Sequence, residues 1–296
     1  MLSITRIGQE DAHSELEEYL RGEEFLPLFF YSPYTLNTWL THSGKALFFA
    51  ELKGEKLIFV YKKSLNEIRF IFKEPSREML DAIKNEYNPN YVGINEMGKP
   101  PQENIYFVQG EDIFLPLEHI VQLKDKDIRR KYKKCIRTHP QIKFERYSEE
   151  HEEKINEFIT EWSTVRTDTQ NKNAKTENDF RFLELYKNDQ NILGGVVVDQ
   201  EKIIAISFAT PGLDENWVGP ISKTLRGYTQ LGVFTFVERA KLLYENGVTG
   251  LYVGAINNEF KKQFLKDAVI NPVYAGELFK NPKKDFPDDY VWKLFG

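Results

Sequence analysis

Apolar positions along the chain switch between a helical and a strand spacing, in blocks that recur. Leu16, Tyr19 and Leu20 cluster on one side of residues 12–21, which predicts a helix, and residues 33–40 read as a second, short one. Strands at 46–51 and 56–61 follow, joined by the turn Leu52-Lys53-Gly54-Glu55, and 68–72 is a third. Pro75 then stands at a first-turn position, opening a helix that carries Met79, Leu80, Ile83 and Tyr87 on one stripe. A strand at 91–94, the loop signal Gly98-Lys99-Pro100-Pro101, and strands at 104–108 and 112–115 complete this half.

The second half uses the same grammar. Ile155, Phe158, Ile159 and Trp162 follow i, i+3, i+4, i+7, with Ser148 as the N-cap and acids in the first turn. Thr176 is expected to cap a helix through Tyr186, and strands at 192–199 and 202–209 make a hairpin around Asp199-Gln200-Glu201. A strand at 217–221 and a polar loop lead to a helix from Leu231 to Asn246, ended by Gly247. A strand at 250–254, a short helix from Asn257 to Leu265, and strands at 273–277 and 290–294 finish the chain.

Aligning Glu55-Lys56 on Glu201-Lys202 places the two hairpins 146 residues apart, close to half of the 296 residues. Two readings stand: a common motif met twice, or two tandem copies of one mixed α/β fold. The second implies domains at 1–120 and 121–296.

Composition narrows the setting more than the function. Hydrophobic residues at 41% and charged residues at 29% are ordinary for a globular chain, and 14% aromatic content argues against disorder. A single cysteine, Cys135, excludes an intramolecular disulfide framework and a Cys-based zinc site, and no metal is expected. The N-terminal stretch MLSITRIGQEDAHSELEEYL carries acids where a secretory signal needs an apolar core. The longest apolar runs, such as 203–209, fall far short of the ~20 residues of a spanning helix. The cytoplasm is the expected location, with peripheral contact to a membrane surface left open.

The net charge of −5 hides an uneven distribution. Residues 121–146 hold ten basic and three acidic side chains, a net +7, so the rest of the chain is −12. Ile128, Tyr132, Cys135 and Ile136 predict a narrow apolar stripe on a basic helix bearing Arg129, Arg130, Lys133, Lys134 and Arg137. Such a helix can meet nucleic-acid phosphates, anionic lipid heads or cofactor phosphates. It can equally be a solvated face, balanced by Glu149, Glu150, Glu152 and Glu153 behind it.

Familiar catalytic signatures are missing. None of the five histidines has a metal-ligand spacing, and there is no GxSxG elbow, no GxxxxGKS loop and no GxGxxG after a strand. Cys135 among cations is a candidate nucleophile, or a small residue on the apolar stripe. His139 and His151 read as surface residues. One segment has the chemistry of a site: VGPISKTLRGYTQLG at 218–232, which follows a strand and opens an apolar helix. Its Ser222, Lys223, Thr224, Arg226, Gly227, Thr229 and Gly232 suit phosphate, because glycines allow close backbone approach and N–H groups at a helix start attract anions.

Strand, Arg226-Gly227-x-x-x-x-Gly232 loop, amphipathic helix, then LYVGAINNEFKKQF resembles the acyl-donor half of the GNAT acyltransferase fold. Thr229 stands where that superfamily expects a glycine, which weakens the case for coenzyme A. The junction LPLEHIVQLKDKDIRRKYKKCIRTHPQIKFERYSEEHEEKINEFITEW is similar to the FemABX-like branch, and within it to the C-terminal domain of phosphatidylglycerol lysyltransferase. The resemblance spans roughly residues 20–280. It implies an α/β (α+β) fold of two GNAT-like domains, each a mixed, mostly antiparallel sheet flanked by helices.

It also implies an acyltransferase that takes an acyl or aminoacyl group from acyl-CoA or aminoacyl-tRNA to a small-molecule, peptide or lipid acceptor bearing an amine or hydroxyl. Ser222–Gly232 and Asn257 would hold the donor. Such transfer needs positioning, a polarised carbonyl and proton removal, and no covalent residue. Candidate bases are Glu161, Asp214 and Glu215, with Tyr252 as a candidate acid. The competing class is a non-catalytic module whose basic helix docks nucleic acid or another anionic partner. Nothing in the sequence sets the oligomeric state.

Overall fold

The computed structural model describes residues 1–7, 12–22, 32–40, 45–97, 105–165, 180–185, 189–212, 216–255 and 259–282. In chain order the first elements are β1 (Ser3–Arg6), α1 (Ala12–Arg21), α2 (Pro33–Leu40), β2 (Lys45–Leu52), β3 (Glu55–Lys62), β4 (Glu67–Ile71), α3 (Arg77–Tyr87), β5 (Tyr91–Met97) and β6 (Ile105–Pro116). Then come α4 (Leu117–Val121), α5 (Lys126–Thr138), β7 (Lys143–Arg146), α6 (Glu152–Val165), β8 (Leu193–Asp199) and β9 (Lys202–Pro211). The last are β10 (Trp217–Thr224), α7 (Leu231–Glu245), β11 (Gly250–Ala255), α8 (Glu259–Lys262) and β12 (Val269–Lys280). Two compact units result: Met1–Asp112 with Asn271–Gly296, and Ile113–Ile270.

In the first unit the strand order is β1-β2-β3-β4-β5-β12. Lys53 and Gly54 take φ of 52° and 85°, which lets a two-residue turn close the β2–β3 hairpin with the twist of its strands. β4 and β5 run parallel through five paired residues, Glu67↔Tyr91 to Ile71↔Asn95, and α3 makes the crossover. Met79 and Ile83 of α3 pack with Phe59 and Phe70 in the core. The hydroxyl of Ser76 accepts the Met79 N–H at 3.2 Å, so Ser76 is the cap and Pro75 precedes the helix instead of opening it.

The second unit repeats the connectivity. Its strand order runs β6-β11-β10-β9-β8-β7, with α7 crossing between the parallel strands β10 and β11. Val233, Phe236, Val237, Ala240 and Leu243 of α7 bury against Ile113, Leu115 and Leu117. That packing draws the end of β6 into this unit, so the division falls between Asp112 and Ile113, against the expected 120/121. The other end also differs from the expected 121–296. β12 pairs antiparallel with β5, from Tyr274↔Met97 to Lys280↔Tyr91, which returns Asn271–Gly296 to the first unit.

The two strands expected at 104–108 and 112–115 form one continuous strand, β6. The expected strand at 290–294, and Thr176 as a cap, lie outside the described residues.

Candidate functional site

The sheet of the second unit opens at β10. Among the described residues, Trp217↔Leu251 and Val218↔Tyr252 are the pairs that join β10 to β11. Beyond them the register with β9 slips between Val218 and Ile221, and β10 continues to Thr224 with β9 as its partner. Gly219 and Pro220 form this irregularity, at a place where proline has no N–H to give a neighbour. The strand edge that leaves β11 offers backbone donors and acceptors to an extended ligand.

A cation lies under this slip. Arg239 of α7 is 1% exposed, and its Nη1 donates to the carbonyls of Phe208 at 3.3 Å and Ile221 at 3.5 Å. A Cβ on Gly219 would stand 2.9 Å from the same guanidinium, so glycine is what leaves room for it. Burial pushes the Arg239 pKa down to about 9, which still leaves the group charged at neutral pH. No carboxylate pairs with it among the described residues. Its field favours negative charge at the opening of the strands. Sequence reading passed over Arg239, although an arginine on the apolar face of LGVFTFVERAKLLYE was the available signal.

The loop after β10 turns back on the sheet. Gly227 has φ +96° with open space around it, and Gln230 sits at φ 62° as the N-cap of α7 without a side-chain cap bond. The first turn of α7 therefore keeps backbone donors that no side chain among the described residues caps, the condition under which a helix start takes an anion. Arg226 is exposed on this loop. Gly232 serves packing: a Cβ there would meet the Phe260 ring at 3.0 Å.

Polar side chains gather around the same end of the sheet. Tyr228 donates to Asp199 at 3.0 Å, and its pKa is raised first by burial and then by the Asp199 and Glu161 carboxylates. Lys223 places its ammonium 4.5 Å from the Trp162 ring centre. Ser222 faces solvent opposite Ser207, and Thr224 ends the strand half-buried. Glu161 accepts from Lys202 at 2.8 Å, so it would have to leave an ion pair to act as a base. Tyr252 is buried at the apex of the opening with its ring 4.9 Å from that of Phe114. Asp214, Glu215 and Asn257 lie outside the described residues.

The basic helix α5 meets this loop. Asp125 caps it by accepting the N–H groups of Asp127 at 2.7 Å and Ile128 at 3.0 Å. Ile128 and Cys135 are buried, and Tyr132 stacks on Phe234 of α7 while donating to Glu238 at 2.5 Å. Ile136 is instead 42% exposed, one position off that seam. Cys135 is fully buried and burial pushes its thiol up to about 11, so it is a packing residue and no nucleophile. Arg130 and Lys131 pair with Asp127, and Arg129 donates to the Leu123 carbonyl at 3.3 Å. Lys133, Lys134 and Arg137 stand exposed and make no ion pair among the described residues.

His139, which ends α5, is half-buried and not a bare surface residue: its Nε2 accepts the Thr229 N–H at 3.0 Å. That bond ties the basic helix to the loop. His151 likewise has a structural task, accepting the Ser148 N–H through Nδ1 at 3.1 Å before α6.

No protein-family profile matches the chain, and no curated protein matches it. Solved structures do. A conserved protein of unknown function from Bacteroides thetaiotaomicron superposes with a TM-score of 0.74 at 13% identity, over 94% of this chain and 100% of that one. L-PGS from Bacillus licheniformis gives 0.61 at 14% identity, over 95% of each chain. FemX gives 0.54 at 9% identity, over 93% of this chain and 97% of its own.

The fold is a tandem GNAT-like one of the FemABX-like kind. At such identities the likeness is one of architecture. It bears out the expected α/β organisation of two GNAT-like domains with mixed sheets and flanking helices. No helix among the described residues is long and apolar enough to cross a membrane.

Proposed function

We propose that the second unit transfers an acyl or aminoacyl group from a phosphate-bearing carrier, held at residues 222–232, to an amine or hydroxyl acceptor. The observation that carries this reading is the His139–Thr229 bond, which joins the cations of α5 to the uncapped start of α7. It also bears on the donor. With its N–H already given to His139, Thr229 has less to offer a compact pyrophosphate, whereas Lys133, Lys134 and Arg137 offer a track to a longer polyanion. Aminoacyl-tRNA is therefore favoured over acyl-CoA.

In the reaction the acceptor's lone pair attacks the donor carbonyl carbon and a new C–N or C–O bond forms. The ester bond to the carrier breaks with its electron pair on the departing oxygen. The proton lost by the acceptor ends on that oxygen. Arg239, buried beneath the slip in β10, stabilises the charge that develops on the carbonyl oxygen.

Fluorescence anisotropy with a charged tRNA tests the donor. The triple change of Lys133, Lys134 and Arg137 to Ala is expected to weaken binding by at least about tenfold and to flatten its dependence on salt between about 50 and 200 mM. Equal binding by the variant and the parent, or no binding of either charged tRNA or acyl-CoA, overturns the reading. The same helix is the surface on which peripheral contact with an anionic membrane would occur, and pelleting with anionic and neutral liposomes measures it.

A second reading, a non-catalytic anion-binding module, is favoured by one feature of the candidate acid–base set. Glu161 is held by Lys202 and Tyr252 is packed against Phe114. Single-turnover transfer from charged tRNA to a primary amine distinguishes the two.

A further inference from the structure

His139 meets the loop in one particular protonation state. Its Nε2 accepts the Thr229 N–H at 3.0 Å, which requires a lone pair on Nε2 and places the ring proton on Nδ1. The backbone that carries the ring is fixed. The His139 N–H donates to the Cys135 carbonyl at 2.9 Å, the His139 carbonyl accepts from Ile142 at 3.2 Å, and Pro140 restricts the residue before it. The loop side is held at the two neighbouring positions. Tyr228 donates its hydroxyl to Asp199 at 3.0 Å and sets its ring 5.3 Å from that of His139. Gln230 stands at φ 62°, a left-handed backbone that a residue other than glycine adopts when its surroundings impose it. Thr229, between the two, has the histidine as acceptor of its N–H.

Protonation removes that acceptor. An imidazolium has an N–H on each ring nitrogen and no lone pair, so it would face the Thr229 N–H donor to donor. Histidine is the side-chain type that changes charge between about pH 5 and 8. The titratable and charged groups connected to this ring among the described residues are Tyr228 on the loop, Asp199 and Glu161 beyond its hydroxyl, and Cys135 and Arg137 on α5. Burial is the first cause that raises the pKa of Tyr228 and the cause that raises that of Cys135, so both keep their protons across that range. We infer that His139 is a positioning residue for the donor loop, and that one proton on its imidazole releases Thr229 from α5. The word donor rests on the transfer reading. The proton-dependent tie stands on the hydrogen bond and is measured without any ligand.

Amide and imidazole NMR of the full chain between about pH 5 and 8 tests it, beside His139→Gln, whose amide oxygen can accept the Thr229 N–H and does not titrate. In the parent, the Thr229 amide and the His139 ring signals are expected to follow one shared titration. In His139→Gln the Thr229 amide should lose it. Charged-tRNA affinity of the parent, relative to His139→Gln, should fall about two- to tenfold from the alkaline to the acid end of that range, the worth of one hydrogen bond. His139→Ala should bind more weakly than the parent at the alkaline end, with Gln restoring the affinity. A Thr229 amide indifferent to pH, or one that titrates unchanged in His139→Gln, overturns the tie. Affinity that rises toward acid pH equally in the parent and His139→Gln reports added positive charge alone and overturns the positioning role. A shared titration without tRNA binding at any pH keeps the tie and removes the transfer reading.

Discussion

The two parallel crossovers of this chain share their connectivity and differ in how tightly they close. In the first unit β4 and β5 stay paired over five residues, and Ser76 caps α3 while its own N–H and hydroxyl donate to Glu55 at 2.9 and 2.6 Å. In the second unit β10 and β11 share two pairs, and α7 starts without a side-chain cap. Each crossover also has a buried arginine. Arg69 is neutralised by Glu67 at 2.5 Å and bonded to Asn95 at 3.1 Å, whereas Arg239 has two carbonyls. One copy has satisfied its backbone and its charge internally. The other has left both available, and the proposed site rests on that difference.

The same substitution at the two arginines should break the comparison most visibly. Arg69→Met strands the Glu67 carboxylate in the interior and is expected to cost about 3–5 kcal/mol of unfolding free energy. Arg239→Met removes a charge that has no carboxylate partner among the described residues, so its stability should change by less than about 1.5 kcal/mol. Denaturant unfolding of the pair measures both, and equal losses would mean that the two sites are alike.

Capping gives a smaller contrast. Ser76→Ala should cost about 1 kcal/mol, while Gln230→Gly, at a left-handed N-cap that makes no side-chain cap bond, should be neutral or slightly stabilising. Thermal melts of the two variants resolve the sign. The smallest effect concerns pH. Folding raises the Cys135 thiol from 9.0 to about 11, so the folded chain holds that proton more tightly. Stability should fall as pH rises past 9 toward 11, and Cys135→Ala should lessen the fall. Denaturant midpoints across that range check it.

The grammar of the fold was legible because it is local. Hairpin turns such as Lys53-Gly54 and helix stripes such as Ile155, Phe158 and Trp162 declare themselves within a few residues. The return of β12 to β5 was not legible, since pairing across most of the chain leaves no mark on nearby sequence. The loop at 222–232 stood out for its composition. Its tie to α5 runs through His139, which accepts the Thr229 N–H from ninety residues away and sets its ring 5.3 Å from that of Tyr228, and no periodicity reports that. Gly232 shows the opposite failure: a glycine in a suggestive loop that in fact makes room for Phe260.

Hydrogen–deuterium exchange of the full chain, with and without a charged tRNA, tests the central claim most directly. Protection concentrated in α5 and at residues 225–233, with no change at the corresponding start of α3, is the predicted result. Protection of the α3 start instead, or no protection at the α7 start under saturating tRNA, would contradict it.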